Sequence, residues 1–324
     1  MIAKLKSRIS VAVATYNGER FILEQLVSLT KQNRPPDEII VCDDHSKDRT
    51  VEIIKRFAVR SKVPVHLTIN PTNLGVVKNF EKAISICSGE IIALCDQDDI
   101  WLPDKLGMME EEFENSNSVS GVFSDGLVVD QHLYRLNYSL WDAFSFTREE
   151  LKAFRQGFAT DVLLKHNFIT GATLAFRSKY LRYILPIPAN WHHDAWIGLI
   201  VSYCGNWVPV QRPLILYRQH ASNLIGGIIN FHTRFAGPIK INRIRLLNNE
   251  IGRFIALYRR LTSHDLASRQ QRLRVIEKLE HMVRRCDLPK NRILRIIPVL
   301  HELIENRYGR FSKNQFAALK DLIL

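Results

Sequence analysis

Short apolar runs alternate with stretches of helical period through the first third of the chain. Ile9 to Ala14 is an unbroken β-type run closed by Thr15-Tyr16-Asn17-Gly18. From Glu19 to Lys31, apolar positions at Phe21, Ile22, Leu26 and Leu29 recur close to every 3.6 residues and predict a helix, which Arg34-Pro35-Pro36-Asp37 ends. Glu38 to Cys42 is a second strand, closed by Asp43-Asp44-His45-Ser46. Asp48 is suited to cap a helix with Val51, Ile54 and Phe57 on its inner face. Val63 to Ile69 reads as a third strand, Asn73-Leu74-Gly75 as a turn, Val76 to Cys87 as a third helix and Glu90 to Cys95 as a fourth strand. This alternation with short connections predicts an α/β fold with a mostly parallel sheet and helices on both faces.

From Val119 the pattern changes. Val119 to Phe123 is a strand ending at Ser124-Asp125, and residues 130–160 are mixed and aromatic. Asn190 to Asp194 follows a proline-containing loop and opens an apolar helix running to about Cys204. Trp207 to Tyr217 predicts one or two short strands ending at Tyr217-Arg218-Gln219-His220. Beyond Gly227 the period is helical, with three or four amphipathic helices expected within 233–323, broken near Ser263, Leu288-Pro289 and Gly309.

Charge divides the chain at about the same place. Residues 1–220 hold 25 Lys+Arg and 25 Asp+Glu, whereas residues 221–324 hold 20 and 8, so the whole net charge of +12 lies in the last third. A neutral body and a basic tail that prefers anionic partners are expected. No stretch approaches eighteen consecutive apolar residues, so no transmembrane helix is expected. The apolar run after the basic N-terminus is too short for a signal peptide. Five scattered cysteines without a C-x-x-C suit a reducing compartment, and a cytoplasmic location is expected.

The candidate chemistry sits at strand ends, where ligands of open α/β sheets bind. Asp96, Asp98 and Asp99 follow the fourth strand within four residues, a grouping suited to a hard cation or to hydroxyl groups, and equally to a polar turn. Thr15-Tyr16-Asn17, Asp43-Asp44 and Asn73-Leu74-Gly75 are expected on the same rim. Neither a G-x-G-x-x-G fingerprint nor a P-loop is present.

Six motifs in order give a more specific reading: Val13-Ala14-Thr15-Tyr16-Asn17-Gly18, Cys42 to Thr50, Asn73-Leu74-Gly75, Asp96 to Trp101, His193-Asp194-Ala195-Trp196 and Tyr217-Arg218-Gln219-His220. Over residues 9–226 the chain resembles the family 2 glycosyltransferases of the GT-A fold, and most of all the bacterial rhamnosyltransferase-like branch of surface-polysaccharide synthesis. The resemblance implies a GT-A domain at 1–226, with a nucleotide-binding half (1–115) and an acceptor half (116–226), followed by a helical region at 227–324 outside the resemblance. It implies inverting, metal-dependent transfer of a sugar from a UDP- or dTDP-sugar, with rhamnose as one candidate, to a hydroxyl of a glycan or lipid-linked acceptor.

The residue roles implied by that resemblance are as follows. Asp98 would hold Mn²⁺ or Mg²⁺, with Asp96 beside the metal or the ribose and Asp99 as the runner-up. Thr15, Tyr16, Asn17 and Glu19 would carry the nucleotide, with Asp44, or the adjacent Asp43, accepting from the base. Asn73 and Gly75 would shape the loop beneath it, and Lys78 would reach a phosphate. Asp194 would be the general base and His193 its orienting neighbour, although an Asp at a helix start is equally a capping residue. Arg218 and His220 would approach the diphosphate or metal, followed by a mobile loop at Ser222 to Gly227. The basic region 236–324 is open to three readings: contact with the anionic inner face of the plasma membrane, a partner or second copy, or a solvated cap. Nucleic acid is not expected, because nothing in the body resembles a nucleic-acid module. The alternative function is a non-catalytic nucleotide-sugar-binding scaffold; a nucleotidyltransferase would need a Gly-rich basic signature that is missing near the N-terminus.

Overall fold

The computed structural model describes residues 6–220, 243–312 and 316–323. They fall into two compact units, one within Met1–Ala159 and Phe168–Arg234, the other within Thr160–Asn167 and Phe235–Leu324.

The first unit is built on one sheet. Its strands are β1 (Ile9–Thr15), β2 (Glu38–Asp43), β3 (Val65–Ile69), β4 (Ile91–Cys95), β5 (Ile100–Trp101), β6 (Val119–Val129), β7 (Arg135–Ser139), β8 (Leu174–Arg177) and β9 (Asn206–Arg218). The order is β3-β2-β1-β4-β8-β6-β9-β5, with β7 on β6. The first four strands pair in parallel, joined by α1 (Ile22–Thr30), α2 (Thr50–Arg60) and α3 (Val76–Ser85). This is the parallel α/β half expected from periodicity. From β4 outward the pairing is mixed: β8 is antiparallel to β4 and β6, and β9 is parallel to β6 but antiparallel to β5.

Alternation along the strands separates two packed faces. Val11, Val13, Ile39, Val41, Ala93 and Cys95 join a core with Ile22, Leu26 and Leu29 of α1 and with Leu106, Met109 and Phe113 of α4 (Lys105–Asn115). Helix α3 packs on β1 and β2 with Phe80, Ala83 and Ile84 buried. The aromatic 130–160 stretch forms α5 (Leu140–Phe144) and α6 (Arg148–Arg155), each opened by a capping box, Ser139 with Asp142 and Thr147 with Glu150. Phe146, between the two helices, and Phe154 of α6 gather with Phe168 around Phe123 of β6. Trp207 to Tyr217 lies within one 13-residue strand despite Pro209 and Pro213. Helices α7 (Ala159–Lys165), α8 (Leu181–Ile184) and α9 (His193–Cys204) complete the middle of the chain.

The second unit takes nearly all of α7, a segment that its sequence did not separate from the body. It adds α10 (Arg243–Ser263), α11 (Arg269–Cys286), α12 (Ile296–Ile304), α13 (Arg307–Phe311) and α14 (Phe316–Ile323). Gly309 lies inside α13 and does not mark a break; the turn before α13 is made by Asn306 at φ +50°. Val162, Leu163 and Leu164 of α7 are buried, the Lys278 ammonium donates to the Leu164 carbonyl, and Arg274 pairs with Asp161. A polar cluster fills part of this interior. The His281 ring contacts Glu302 at 2.6 Å and the Ser312 hydroxyl at 3.3 Å, while Asp321 accepts from Arg285 at 2.7 Å and from the Tyr308 hydroxyl at 2.6 Å. No helix among the described residues is long and apolar enough to cross a membrane.

Candidate active site

Parallel register brings the first two strand ends level. Thr15 is opposite Asp43, and its hydroxyl donates to Asp43 Oδ2 at 2.9 Å. Asp43 is fully buried and also accepts from the Ser46 amide at 2.9 Å and hydroxyl at 2.5 Å. The two loops above are tied together. Asn17 N–H donates to Ser46 Oγ, Asn17 Oδ1 accepts from Lys47 N–H, Glu19 N–H donates to Asp48, and Glu19 Oε2 accepts from Arg49. Asp48 also accepts the Thr50 amide and hydroxyl at the start of α2.

Asp44 is likewise buried, and both of its oxygens receive backbone amides, Oδ1 from Leu74 and Oδ2 from Gly75, each at 2.8 Å. Gly75 sits at φ +83°, a conformation that favours glycine, and Asn73 Oδ1 accepts from its amide. Asp43 and Asp44 thus hold the loops that form the rim. Tyr16 is exposed upon it. Lys78 is engaged with Glu81 at 2.8 Å and with the Ile187 carbonyl at 3.2 Å.

Beyond β4 the chain turns sharply. Gln97, between two of the aspartates, accepts from Tyr16 N–H at 2.8 Å and donates to the Tyr16 carbonyl at 3.1 Å. A Cβ on Gly18 would stand 2.3 Å from Gln97 Oε1, so a side chain there would displace the Gln97 amide from Tyr16. Asp98 Oδ2 lies 2.9 Å from His220 Nε2. Arg218 is buried at the end of β9 and spans the turn: its amide donates to Asp99 Oδ1 at 3.0 Å, Nε to the Asp98 carbonyl at 2.7 Å, and a terminal nitrogen to Glu24 at 2.6 Å. Phe21 packs against both the Arg218 guanidinium, at 4.6 Å, and the His220 ring, at 4.8 Å. Arg218 therefore fixes the carboxylate turn, and His220 touches the Asp98 carboxylate itself. Ser222 to Gly227, expected as a mobile loop, lies outside the described residues.

Asp96 is half-buried, and its carboxyl is pushed upward by burial first and then by the charges of Asp98 and Asp194. Asp194, in the first turn of α9, is thus near enough to be felt by a carboxylate on the opposite half of the chain. Its Oδ1 accepts from the Ala195 amide at 2.6 Å. His193 beside it is buried and stacked on Phe80 at 4.1 Å, and neither ring nitrogen has a hydrogen-bond partner among the described residues. A Cβ on Gly171, in the 3-10 turn Gly171–Thr173, would come within 2.7 Å of His193 Nε2.

Gln97 and Lys105 support the carboxylate turn, and the sequence pattern did not single them out. Lys105 is fully buried beneath the carboxylate turn, donates to the Ala172 carbonyl at 2.5 Å and lies 3.6 Å from the Trp101 ring centre. Burial lowers its pKa to about 7, against the attraction of Cys95, Asp99 and Asp96. Its signal was a lysine at helical spacing from Met109 and Phe113, on the face that enters the core.

The carboxylates fit a hard divalent cation that takes one or two protein ligands and completes its shell with phosphate and water. The Asp98 charge helps to push the Asp96 carboxyl upward, and a dication held by these residues would offset that repulsion. No group of three or more His, Cys, Asp or Glu among the described residues forms a closed metal site.

Comparison with known proteins gives the context for this geometry. A sequence profile described as Glycosyl transferase family 2 matches residues 10–184. The chain is 27% identical over 220 residues to uncharacterised mycobacterial proteins, one from Mycobacterium tuberculosis; the match covers 66% of this chain and spans only 60% of the relative's length. It is 28% identical over 233 residues to the dTDP-rhamnosyl transferase RfbG of Shigella flexneri, covering 69% of this chain and 76% of that protein. Among solved structures it is similar to TarS of S. aureus in complex with UDP-GlcNAc, with a TM-score of 0.55 and 18% identity over 94% of this chain and 89% of that one. A mannosyltransferase from Pyrobaculum calidifontis in complex with GDP-Man and Mn²⁺ gives the same score and identity over 98% and 79%. The last two likenesses show a shared glycosyltransferase fold, the GT-A arrangement expected above.

Proposed function

Because the chain belongs to glycosyl transferase family 2, we propose that it moves a sugar from a nucleotide-diphosphate donor to an acceptor hydroxyl with inversion. The observation that supports this reading is that Asp96 and Asp98 follow the end of β4, and that the charge of Asp194, in the first turn of α9, reaches Asp96: two carboxylates suited to a diphosphate-bound cation with a third suited to take a proton.

In this reading Tyr16 and the loops tied by Asn17, Glu19, Asp43 and Asp44 support the nucleotide, with Thr15 beneath and the Asn73–Gly75 loop at the side. Asp98 and Asp96 would hold Mn²⁺ or Mg²⁺. Such an ion, when bound, stabilises charge on the leaving diphosphate. Asp194 accepts the proton of the attacking hydroxyl, and the stacked His193 restricts where that carboxylate can move. Arg218 positions the carboxylate turn from behind, and His220 steadies Asp98.

The donor we favour is a UDP- or dTDP-sugar. The support is the named activity of the Shigella relative, which also makes rhamnose a candidate, and that of a UDP-Glc-dependent glucosyltransferase of Escherichia coli, 31% identical over 129 residues. The acceptor is a glycan or lipid-linked glycan in surface-polysaccharide synthesis, reached on the cytoplasmic side, where the basic tail meets anionic lipid. A screen of nucleotide sugars for Mn²⁺-dependent hydrolysis tests the proposal. Release of UDP or dTDP from at least one sugar is expected, and binding of nucleotide without turnover of any sugar would leave the scaffold alternative standing instead.

A further inference from the structure

Helix α12 is inside out. Val299 and the carboxylate of Glu302 are buried on its inner side, and Arg295, one turn before, reaches inward to the Pro289 and Asp321 carbonyls. Ile293, of the 3-10 turn Ile293–Arg295, precedes the helix, and the opposite side carries Ile297, Leu300 and Ile304, at spacings of four, three and four residues that continue one helical stripe. These side chains are 73%, 79%, 50% and 82% exposed. Helix α14, which packs beside α12, repeats the pattern with Phe316, Leu319 and Ile323 exposed and Asp321 buried. Buried acids and exposed isoleucines reverse the usual amphipathic arrangement, and exposed apolar stripes on two helices in contact point to an interaction surface.

We propose that this α12–α14 face seats on an anionic lipid bilayer, its isoleucine stripe entering the boundary between headgroups and acyl chains. Charge selects the occupant. The stripe begins beside exposed Lys290 and Arg292, and Lys320 lies exposed between Leu319 and the end of α14. Glu305, just after α12, is the acidic side chain exposed at the other end. Many acids of this unit are already matched by arginines, as with Glu302 by Arg284 and Arg307, Glu277 by Arg310 and Asp265 by Arg272. A two-fold contact between copies would set these lysines and arginines against their own equivalents. Anionic headgroups would instead surround them, within a segment whose net charge is +12. An apolar stripe flanked by cations, with low net hydrophobicity in the rest of the unit, is the arrangement of a helix lying in the membrane plane. The inference rests on the reading that the acceptor is lipid-linked, and it names the face that reaches the lipid.

The test uses the full chain with vesicles of phosphatidylcholine alone or mixed with phosphatidylglycerol. Co-sedimentation is expected only with the mixed vesicles, and Ile297→Glu with Ile304→Glu should weaken it at least about tenfold. Lys290→Glu with Arg292→Glu should weaken it less, and this part of the binding should vanish in high salt. In Ile297→Trp the indole emission should shift to the blue on adding the mixed vesicles. Donor hydrolysis and helical circular dichroism should be unchanged in all three variants, which separates lost docking from lost folding. Equal binding by the Ile297→Glu, Ile304→Glu protein would overturn this face while leaving a purely electrostatic membrane contact. Absence of binding by the unaltered chain would overturn both. A dimer that Ile297→Glu and Ile304→Glu dissociate, with no vesicle binding, would assign the face to a second copy. Absence of donor hydrolysis in the unaltered chain is a separate matter and bears only on the proposed activity.

Discussion

At the scale of single residues, the site is a contest between burial and repulsion. Burial pushes the Asp96 and Asp99 carboxyls upward, the Asp98 charge adds to both and the Asp194 charge to Asp96, and the buried cation Lys105 opposes the rise. Replacing Lys105 with Met removes that charge and the hydrogen bond to Ala172, and should cost about 3–5 kcal/mol of stability in urea unfolding. Asp99→Asn in the same chain should recover part of the loss, because Oδ1 still accepts from Arg218 while the uncompensated charge is gone. Strictly additive losses would mean that Lys105 acts through packing alone. For the proposed base, Asp194→Asn keeps an acceptor for the Ala195 amide. It should lower transfer by about 10²–10⁴-fold while leaving nucleotide affinity nearly unchanged in calorimetry, and normal turnover would remove Asp194 from the mechanism.

At the scale of elements, the second unit stores a pH dependence in the packing of α11 against α12 and α13. Burial lowers the His281 pKa from 6.5 to about 4, with the Arg285 charge adding to it and the Glu302 hydrogen bond opposing it. The ring is neutral when folded, whereas the unfolded chain takes up a proton near 6.5. Stability should therefore fall as pH drops through the window from 6.5 to 4, by up to about 1.4 kcal/mol per pH unit. Denaturation followed at 222 nm between pH 7 and 4.5 measures this, and His281→Gln should flatten the slope. The same scale shows what was legible in the sequence. Strands β1, β2 and β4 could be read because buried parallel strands are continuous apolar runs with polar ends. The short β5 and the helices α5 and α6 could not, since two residues carry no period and the aromatic residues of 140–168 serve a cluster drawn from several elements. In the site, the acids were legible as acids. That Asp43 and Asp44 bind loop amides depends on the return of two other loops, and no local pattern records such a partner. Gln97 gave no signal at all, because its role is set by Tyr16, 81 residues away.

At the scale of the whole molecule, charge is neutral over residues 1–220 and +12 over residues 221–324, the division on which the proposed donor chemistry and the proposed docking rest. If Asp98 and Asp96 hold a divalent cation for the donor, chelation should weaken UDP or dTDP binding by about tenfold, or 1.4 kcal/mol; equal affinity in EDTA and Mn²⁺ would take the metal out of donor binding. One feature also bears on how the chain is made. Thr160–Asn167 is packed with the helical unit, yet it is synthesised long before its partners: Leu164 precedes Lys278, whose ammonium caps its carbonyl, by 114 residues. At ordinary elongation rates that interval is roughly 6–20 s. Throughout it Val162, Leu163 and Leu164 stand unburied by the helices to come, so the nascent chain presents an apolar segment to chaperones, and a chain stopped before α10 keeps that segment permanently uncovered.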